Sequence, residues 1–271
     1  MSFCNDLHCM VKRRSKMHKP VNIIAIFLSS LILSGCSNAA DKTLSPPSNA
    51  KWVNVEVKNP SRYTKPFPLE VRYISHQCLK KRISGVDGSM ITEPGYNVIS
   101  MPLQQSDNND IWKAKVAMSG GGSCEWTLSA LNLGIEYIDA THLGKDLIPG
   151  TAVGVTIAFD GEASRNGQFS SVYGDVILSP KYYPYITEWN INKKQKDLSL
   201  LGEKSFLSLR AYNVSEIKFK PVMNESKVVR FVEPEIKIDG VYSKIIYPDG
   251  SIAPKGTLSP DFDKIDKMII K

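Results

Sequence analysis

From Lys51 onward the chain alternates apolar and polar side chains with a period of two, and that alternation decides its fold class. Val53, Val55 and Val57 are separated by Asn54 and Glu56, and Leu69, Val71 and Tyr73 by Glu70 and Arg72. Trp112, Ala114, Val116 and Met118 face one way, Lys113 and Lys115 the other. Successive side chains of a strand point to opposite faces, so these runs read as strands with one wet face. Trp126 and Leu128 continue the pattern, and the phase slips near Ala130-Leu131 before Leu133, Ile135 and Tyr137, as a β-bulge requires. Val153, Val155, Ile157 and Phe159 repeat the style. Further strands are expected at 172–178, Phe206–Tyr212, Glu216–Phe219, 228–232, 235–238 and 242–247.

Asp87-Gly88, Asp160-Gly161, Asn166-Gly167, Asp239-Gly240 and Asp249-Gly250 tolerate the positive φ of tight turns. One helix is expected, at the very end. Ser259 is its cap, Pro260 its first residue and Asp261 lies in its first turn, with Phe262, Ile265, Met268 and Ile269 on one face. The fold class is mainly β: one or two antiparallel β-sandwich-like modules with a short C-terminal helix. Gly144, Lys145, Asp146, Pro149 and Gly150 cluster near 143–150 and divide the chain into modules at 51–146 and 147–271. One continuous sandwich is the competing arrangement.

Lys12, Arg13, Arg14, Lys16 and Lys19 lead into an apolar run at 21–33, interrupted by Asn22, Ser29 and Ser30. The run is shorter than the roughly 20 apolar residues of a membrane-spanning helix and suits a secretory signal. Ser15-Lys16-Met17 after Arg13-Arg14 argues against twin-arginine export, and Met1, Met10 and Met17 are all candidate starts. Leu33-Ser34-Gly35-Cys36 closes the run and resembles a bacterial lipobox. The resemblance implies that the Cys36 thiol takes a diacylglycerol, that residues 1–35 are cut away, and that the new amine is acylated. An ordinary signal peptide ending in cysteine, or an uncleaved anchor, is the alternative. Ser37 in second place implies, by similarity to enterobacterial lipoproteins, attachment to the outer membrane facing the periplasm. Residues 36–50, with their Ser, Asn, Ala and Pro46-Pro47, read as a flexible tether.

Losing residues 1–35 removes five Lys/Arg and one Asp, so the formal charge of +7 falls to +3. That takes away the main argument for a nucleic-acid partner. Lys80-Lys81-Arg82 and Lys193-Lys194-Gln195-Lys196 read as solvated loop or strand faces. Cys4 and Cys9 leave with the signal, so Cys78 and Cys124 remain as an even pair in an oxidising compartment, and a disulfide is expected. A metal or redox pair is the alternative, but it lacks a C-x-x-C spacing and neighbouring ligands.

No catalytic set, metal site or cofactor motif is apparent, and the chain does not read as an enzyme. There is no G-x-S-x-G elbow and no H-E-x-x-H, and the loop from Asp160 to Gly167 lacks the alternating oxygens of a calcium site. Gly120-Gly121-Gly122-Ser123 lacks the Lys-Ser/Thr of a phosphate loop and reads as a flexible turn. Of His76 and His142, only His142 has an acid nearby, Asp139, and nothing marks a nucleophile. Tyr182-Tyr183-Pro184-Tyr185, with Trp189 behind it, offers aromatic area of the kind partners bind. The favoured reading of that stretch is that alternate rings enter the core while Pro180 and Pro184 kink it.

The plan of lipobox, short tether, small β domains, one disulfide and no catalytic set resembles the periplasmic immunity lipoproteins that neutralise type VI secretion toxins. The resemblance implies a protein partner, a toxin such as an envelope-targeting lipase or peptidoglycan hydrolase, whose active site is occluded by contact. A structural or assembly lipoprotein of the envelope or of a secretion apparatus is the second reading, and an unrecognised hydrolase the third.

Overall fold

The computed structural model describes residues 40–107 and 110–269. The signal run and the lipobox with Cys36 lie outside the described residues. In chain order the strands are β1 (Trp52–Lys58), β2 (Thr64–Pro66), β3 (Leu69–Ile83), β4 (Met90–Met101), β5 (Gln104–Gln105), β6 (Ile111–Ala117), β7 (Ser119–Gly121) and β8 (Trp126–Tyr137). After a 3-10 turn at Thr141–Leu143 come β9 (Leu147–Pro149), β10 (Val153–Ala158), β11 (Ser170–Tyr173), β12 (Val176–Leu178), β13 (Lys181–Trp189) and β14 (Gln195–Leu201). The last are β15 (Phe206–Tyr212), β16 (Glu216–Phe219), β17 (Val222–Met223), β18 (Val229–Val232) and β19 (Lys244–Ile246), before helix α1 (Phe262–Lys267).

The chain is mainly β, in three sheets. The first has the order β12-β16-β1-β6-β5, the second β11-β15-β10-β8-β3-β4 with β2 and β7 also on β8, and the third β19-β18-β13-β14-β9 with β17 on β13. The alternating residues fold as their pattern dictates. Val53, Val55 and Val57 of the first sheet, and Leu69, Val71, Leu133 and Ile135 of the second, turn inward into one cluster. The Tyr73 hydroxyl spans the two sheets, donating to the Ala117 carbonyl at 3.0 Å, and burial pushes its pKa up to about 12. The expected phase slip falls at Ser129: Arg72 pairs with Ala130 and Tyr73 with Leu128, leaving Ser129 as the extra residue. The freed Ser129 carbonyl accepts from the Phe159 N–H at 2.8 Å.

Three expectations are corrected. The sheets are mixed, not purely antiparallel: β16 runs parallel to β1, β15 parallel to β10, and β18 parallel to β13. The boundary near 143–150 divides no sheet, because β8 and β10 on either side of it pair antiparallel, and the described residues fall in one compact unit. The reason lies at a corner where two parallel strands change sheets together. β11 becomes β12 through Gly174 (φ 78°), and β15 becomes β16 through Asn213 (φ 55°). Glycine and asparagine are the residues that take this left-handed conformation most readily. The Asp175 carboxylate locks the corner, accepting from the Ser215 N–H and hydroxyl at 3.1 and 2.9 Å and from the Glu216 N–H at 2.8 Å.

The third correction concerns the tether. Residues 41–45 of it are docked. The Ser45 N–H donates to the Gly120 carbonyl at 2.8 Å, Asn97 donates to the Lys42 carbonyl at 2.9 Å, and the Trp126 indole donates to the Asp41 carbonyl at 2.9 Å. β7 and the turn that follows it are thus a cradle for this strap, so the expected flexible turn at 120–123 begins as a strand. A Cβ on Gly121 would collide with the Ser45 carbonyl, and one on Gly122 with the Thr43 carbonyl. Both glycines also have positive φ, 58° and 73°. Proximity and backbone hand together account for the glycine run.

Smaller departures have local causes. Residues 235–238 form no strand, and the segment expected at 172–178 is divided at Gly174. Helix α1 starts later than Ser259: Asp261 is the cap, accepting from the Lys264 N–H at 3.0 Å. Ile265 is buried beneath it and Met268 packs alongside, whereas Ile269 is exposed.

Candidate binding surfaces

The aromatic stretch is interior. It forms β13, and strand alternation sends Tyr182 into the main cluster and Tyr183 into a second cluster under α1, with Val229, Ile245, Tyr247, Ala253 and Ile265. Tyr185 is half-buried on the same side as Tyr183, packed near Phe231. Desolvation raises the pKa of all three hydroxyls, that of Tyr185 to about 12. Tyr183 also bonds Asp266, which Lys181 engages at 2.6 Å. The Trp189 indole donates to Asp197 at 2.6 Å. Tyr182 and Tyr183 are therefore withdrawn as partner-binding residues. Pro184 is not a kink but a strand residue. β17 pairs with Lys181 and Tyr182, β18 pairs from Tyr185 onward, and the interruption between them falls at Pro184, which has no N–H to donate.

Asp139 and His142, the residues weighed for acid–base chemistry, share no hydrogen bond. Asp139 accepts from the Thr141 N–H at 2.8 Å and hydroxyl at 2.6 Å, and those bonds hold its pKa below the usual carboxylate range. His142 stacks flat on Tyr63 at 3.6 Å between ring centroids, and neither of its ring nitrogens has a hydrogen-bond partner among the described residues. Among the described residues no group of three His, Cys, Asp or Glu side chains is placed to hold a metal ion.

Two surfaces stand out instead. The first is the outer face of the first sheet, where Asn54 and Glu56 of β1 lie between Lys113 and Lys115 of β6 and Glu216 and Lys218 of β16. A cavity of about 710 Å³ opens there, walled by Met101, Pro102 and Gln104. Lys113 and Lys220 share Glu56 at 4.0 and 3.9 Å, and Lys218 pairs with Glu216 at 2.6 Å. Lys115 has no ion-pair partner among the described residues. The face is of mixed charge and carried by adjacent paired strands.

The second surface is an arm. β3 and β4 run on past the sheet as a two-stranded ribbon whose tip turns at Gly88 (φ 72°). Four large apolar side chains stand in solvent on it: Leu79 is 53% exposed, Ile83 67%, Val86 98% and Met90 63%. Ile83 lies directly opposite Met90, so Lys81, Ile83 and Met90 share one side of the ribbon. Lys80 and Arg82 lie on the other, both bonded to Glu93 at 2.9 and 2.8 Å, which holds the Glu93 carboxyl below its ordinary pKa. The root is fixed. The register shifts between Ser75 and Lys80, the Cys78–Cys124 disulfide closes there, and the Ser75 hydroxyl donates to the Cys124 carbonyl while accepting from the N–H groups of Gln77 and Cys78.

In the sequence Lys80-Lys81-Arg82 reads as a solvated loop or strand face, and the arm is not marked as a surface. The signal was present in Leu79, Ile83, Val86 and Met90, apolar residues around an Asp-Gly turn, but nothing local says that both faces of a hairpin stay wet. No protein-family model, curated protein or solved structure matches this chain.

Proposed function

We propose that the chain is a lipid-anchored, periplasm-facing binding protein that acts by holding another protein. The specific form is an immunity protein that blocks a toxin delivered by type VI secretion, through protein–protein contact. The anchor rests on the lipobox at Cys36 and the toxin on the resemblance in general plan. The observation that carries the binding reading is the outer face of the first sheet. Strand-borne residues of both charges ring a cavity of about 710 Å³, and side chains carried on paired strands can discriminate partners by charge complementarity.

The test is capture of partners from envelope extract by the full lipidated chain, alongside a Lys113→Glu/Lys115→Glu variant. One stoichiometric toxin, lost in the variant, is the expected result, together with sensitivity to sibling cells when the protein is removed. Capture unchanged by the charge reversal would reject this face, and cells that stay resistant without the protein would reject the immunity role.

One observation favours the second reading, a structural or assembly lipoprotein of a cell-envelope or secretion apparatus. β4 ends the second sheet with β3 as its only strand partner among the described residues, and a free edge of twelve residues is where a partner strand can add. Recovery of envelope-machine subunits in the same capture would select it.

A further inference from the structure

We infer that the arm is a second, non-covalent membrane contact: Leu79, Ile83, Val86 and Met90 enter the headgroup region of an anionic phospholipid bilayer while Lys80, Lys81 and Arg82 meet its phosphates. This rests on the reading that Cys36 carries lipid.

The argument begins at the strap. Asp41 is held by Trp126 and by the Ser123 hydroxyl, which donates to its carboxylate at 2.8 Å. Only residues 37–40 stand between it and Cys36. Five steps of extended chain reach at most about 18 Å. A lipidated Cys36 therefore keeps this end of the molecule next to the bilayer, where a free tether of fifteen residues would not.

The same end carries the root of the arm. Ser123, which holds Asp41, precedes Cys124, and Cys124 is bonded to Cys78. Asn97, which holds the Lys42 carbonyl, lies two residues beyond Gly95 on β4. From this root the ribbon extends about 20 Å, six residues per strand at about 3.3 Å each. That length is comparable with the reach of the anchor.

Composition supplies the rest. Apolar side chains at the tip with Lys and Arg behind them are what an interfacial membrane element needs, the first for the acyl boundary and the second for anionic headgroups. Two acids lie on the arm. Glu93 is taken up by Lys80 and Arg82, and Asp87 is bonded to the Ser89 N–H and hydroxyl at 3.1 and 2.8 Å. Lys81, on the apolar side, has no ion-pair partner among the described residues.

The test places an environment-sensitive nitrobenzoxadiazole dye on Val86→Cys, and in a second protein on Ile177→Cys, which is exposed on the first sheet. Each lipidated full-length protein is reconstituted into phosphatidylethanolamine vesicles containing phosphatidylglycerol, and mass spectrometry reads the acyl chains on Cys36. The expected result is a dye at 86 that is shielded from iodide and quenched by doxyl-labelled lipid, while the dye at 177 behaves oppositely. The shielding should be lost with Lys80→Ala/Lys81→Ala/Arg82→Ala. A dye at 86 as open to iodide as that at 177, on a protein whose Cys36 is acylated, overturns the inference alone. An unacylated Cys36 overturns the anchor reading and this inference with it. Shielding seen only when a protein partner is added assigns the arm to that partner and overturns the membrane contact.

Discussion

The carbonyl oxygen of Cys78 occupies the space in which a Cβ on Gly95 would stand. The arm is rooted by this crossing of backbones as much as by the disulfide beside it. Gly95→Ala must push β4 off β3 at the root, and insertions of this kind cost about 1–3 kcal/mol. Gly85→Ala, in open space at the tip, should leave stability unchanged. Urea denaturation of the two variants checks this, and equal midpoints would show that the root yields freely.

Reduction should act on the whole body as well as the arm. Cys78 and Cys124 are 46 residues apart, and closing a loop of that length stabilises by about 4 kcal/mol in the chain-entropy model. A Cys78→Ser/Cys124→Ser protein should lose about that much in denaturant titration. It should also be cut faster by trypsin after Lys80, Lys81 or Arg82. A disulfide-free protein with unchanged stability would contradict this account.

Acid should loosen the corner where strands change sheets. Hydrogen bonds from Ser215 and Glu216 hold the folded-state pKa of Asp175 below its ordinary value near 3.8. A carboxylate whose pKa is depressed by folding contributes stability above the unfolded value, and that contribution fades as pH falls through the folded one. Asp175→Asn should therefore be less stable than the parent at pH 7, with the gap narrowing below about pH 4. Asp41, Glu93, Asp249 and Asp266 are shifted the same way, so the difference between parent and variant is the quantity to follow. A gap that stays constant down to pH 3 would sink the assignment.

The terminal helix is a plug for the second cluster. Ile265 is fully buried there, and Lys227 reaches the Ile265 and Asp266 carbonyls at 2.8 Å each, completing the bonds at the end of α1. Ile265→Ala should cost about 2–5 kcal/mol, as buried aliphatic truncations do. Asp261→Ala, which removes only the cap, should cost about 1 kcal/mol. Thermal melts of the two should preserve that order.

What could be read from the sequence followed from range. Val53, Val55 and Val57 announce their strand because alternation is local, and Phe206–Tyr212 and Glu216–Phe219 lie where the pattern puts them. The bulge showed as a phase slip, and Cys78–Cys124 needed only an even count. Partnership is not local. That β16 would lie parallel to β1 depends on a left-handed Asn213 that moves the chain from one sheet to the next. The strap is not legible in the sequence because its bonds go to Trp126, Asn97 and Gly120, far along the chain. The aromatic stretch was ambiguous for the same reason, since a ring bound for a partner and a ring bound for the core obey one periodicity.

The interleaving of the two halves also sets the order in which the protein can form. β1, the first strand to emerge, finds its parallel neighbour only when Glu216–Phe219 is present, and β10 waits likewise for β15. Pairings so distant in sequence demand loop closure before any contact is gained and make folding slow. The antiparallel pairs of β1 with β6, β3 with β4 and β8, and β8 with β10 can form from the first part of the chain, whereas the parallel edges of β1 and β10 stay open until residues 206–219 arrive.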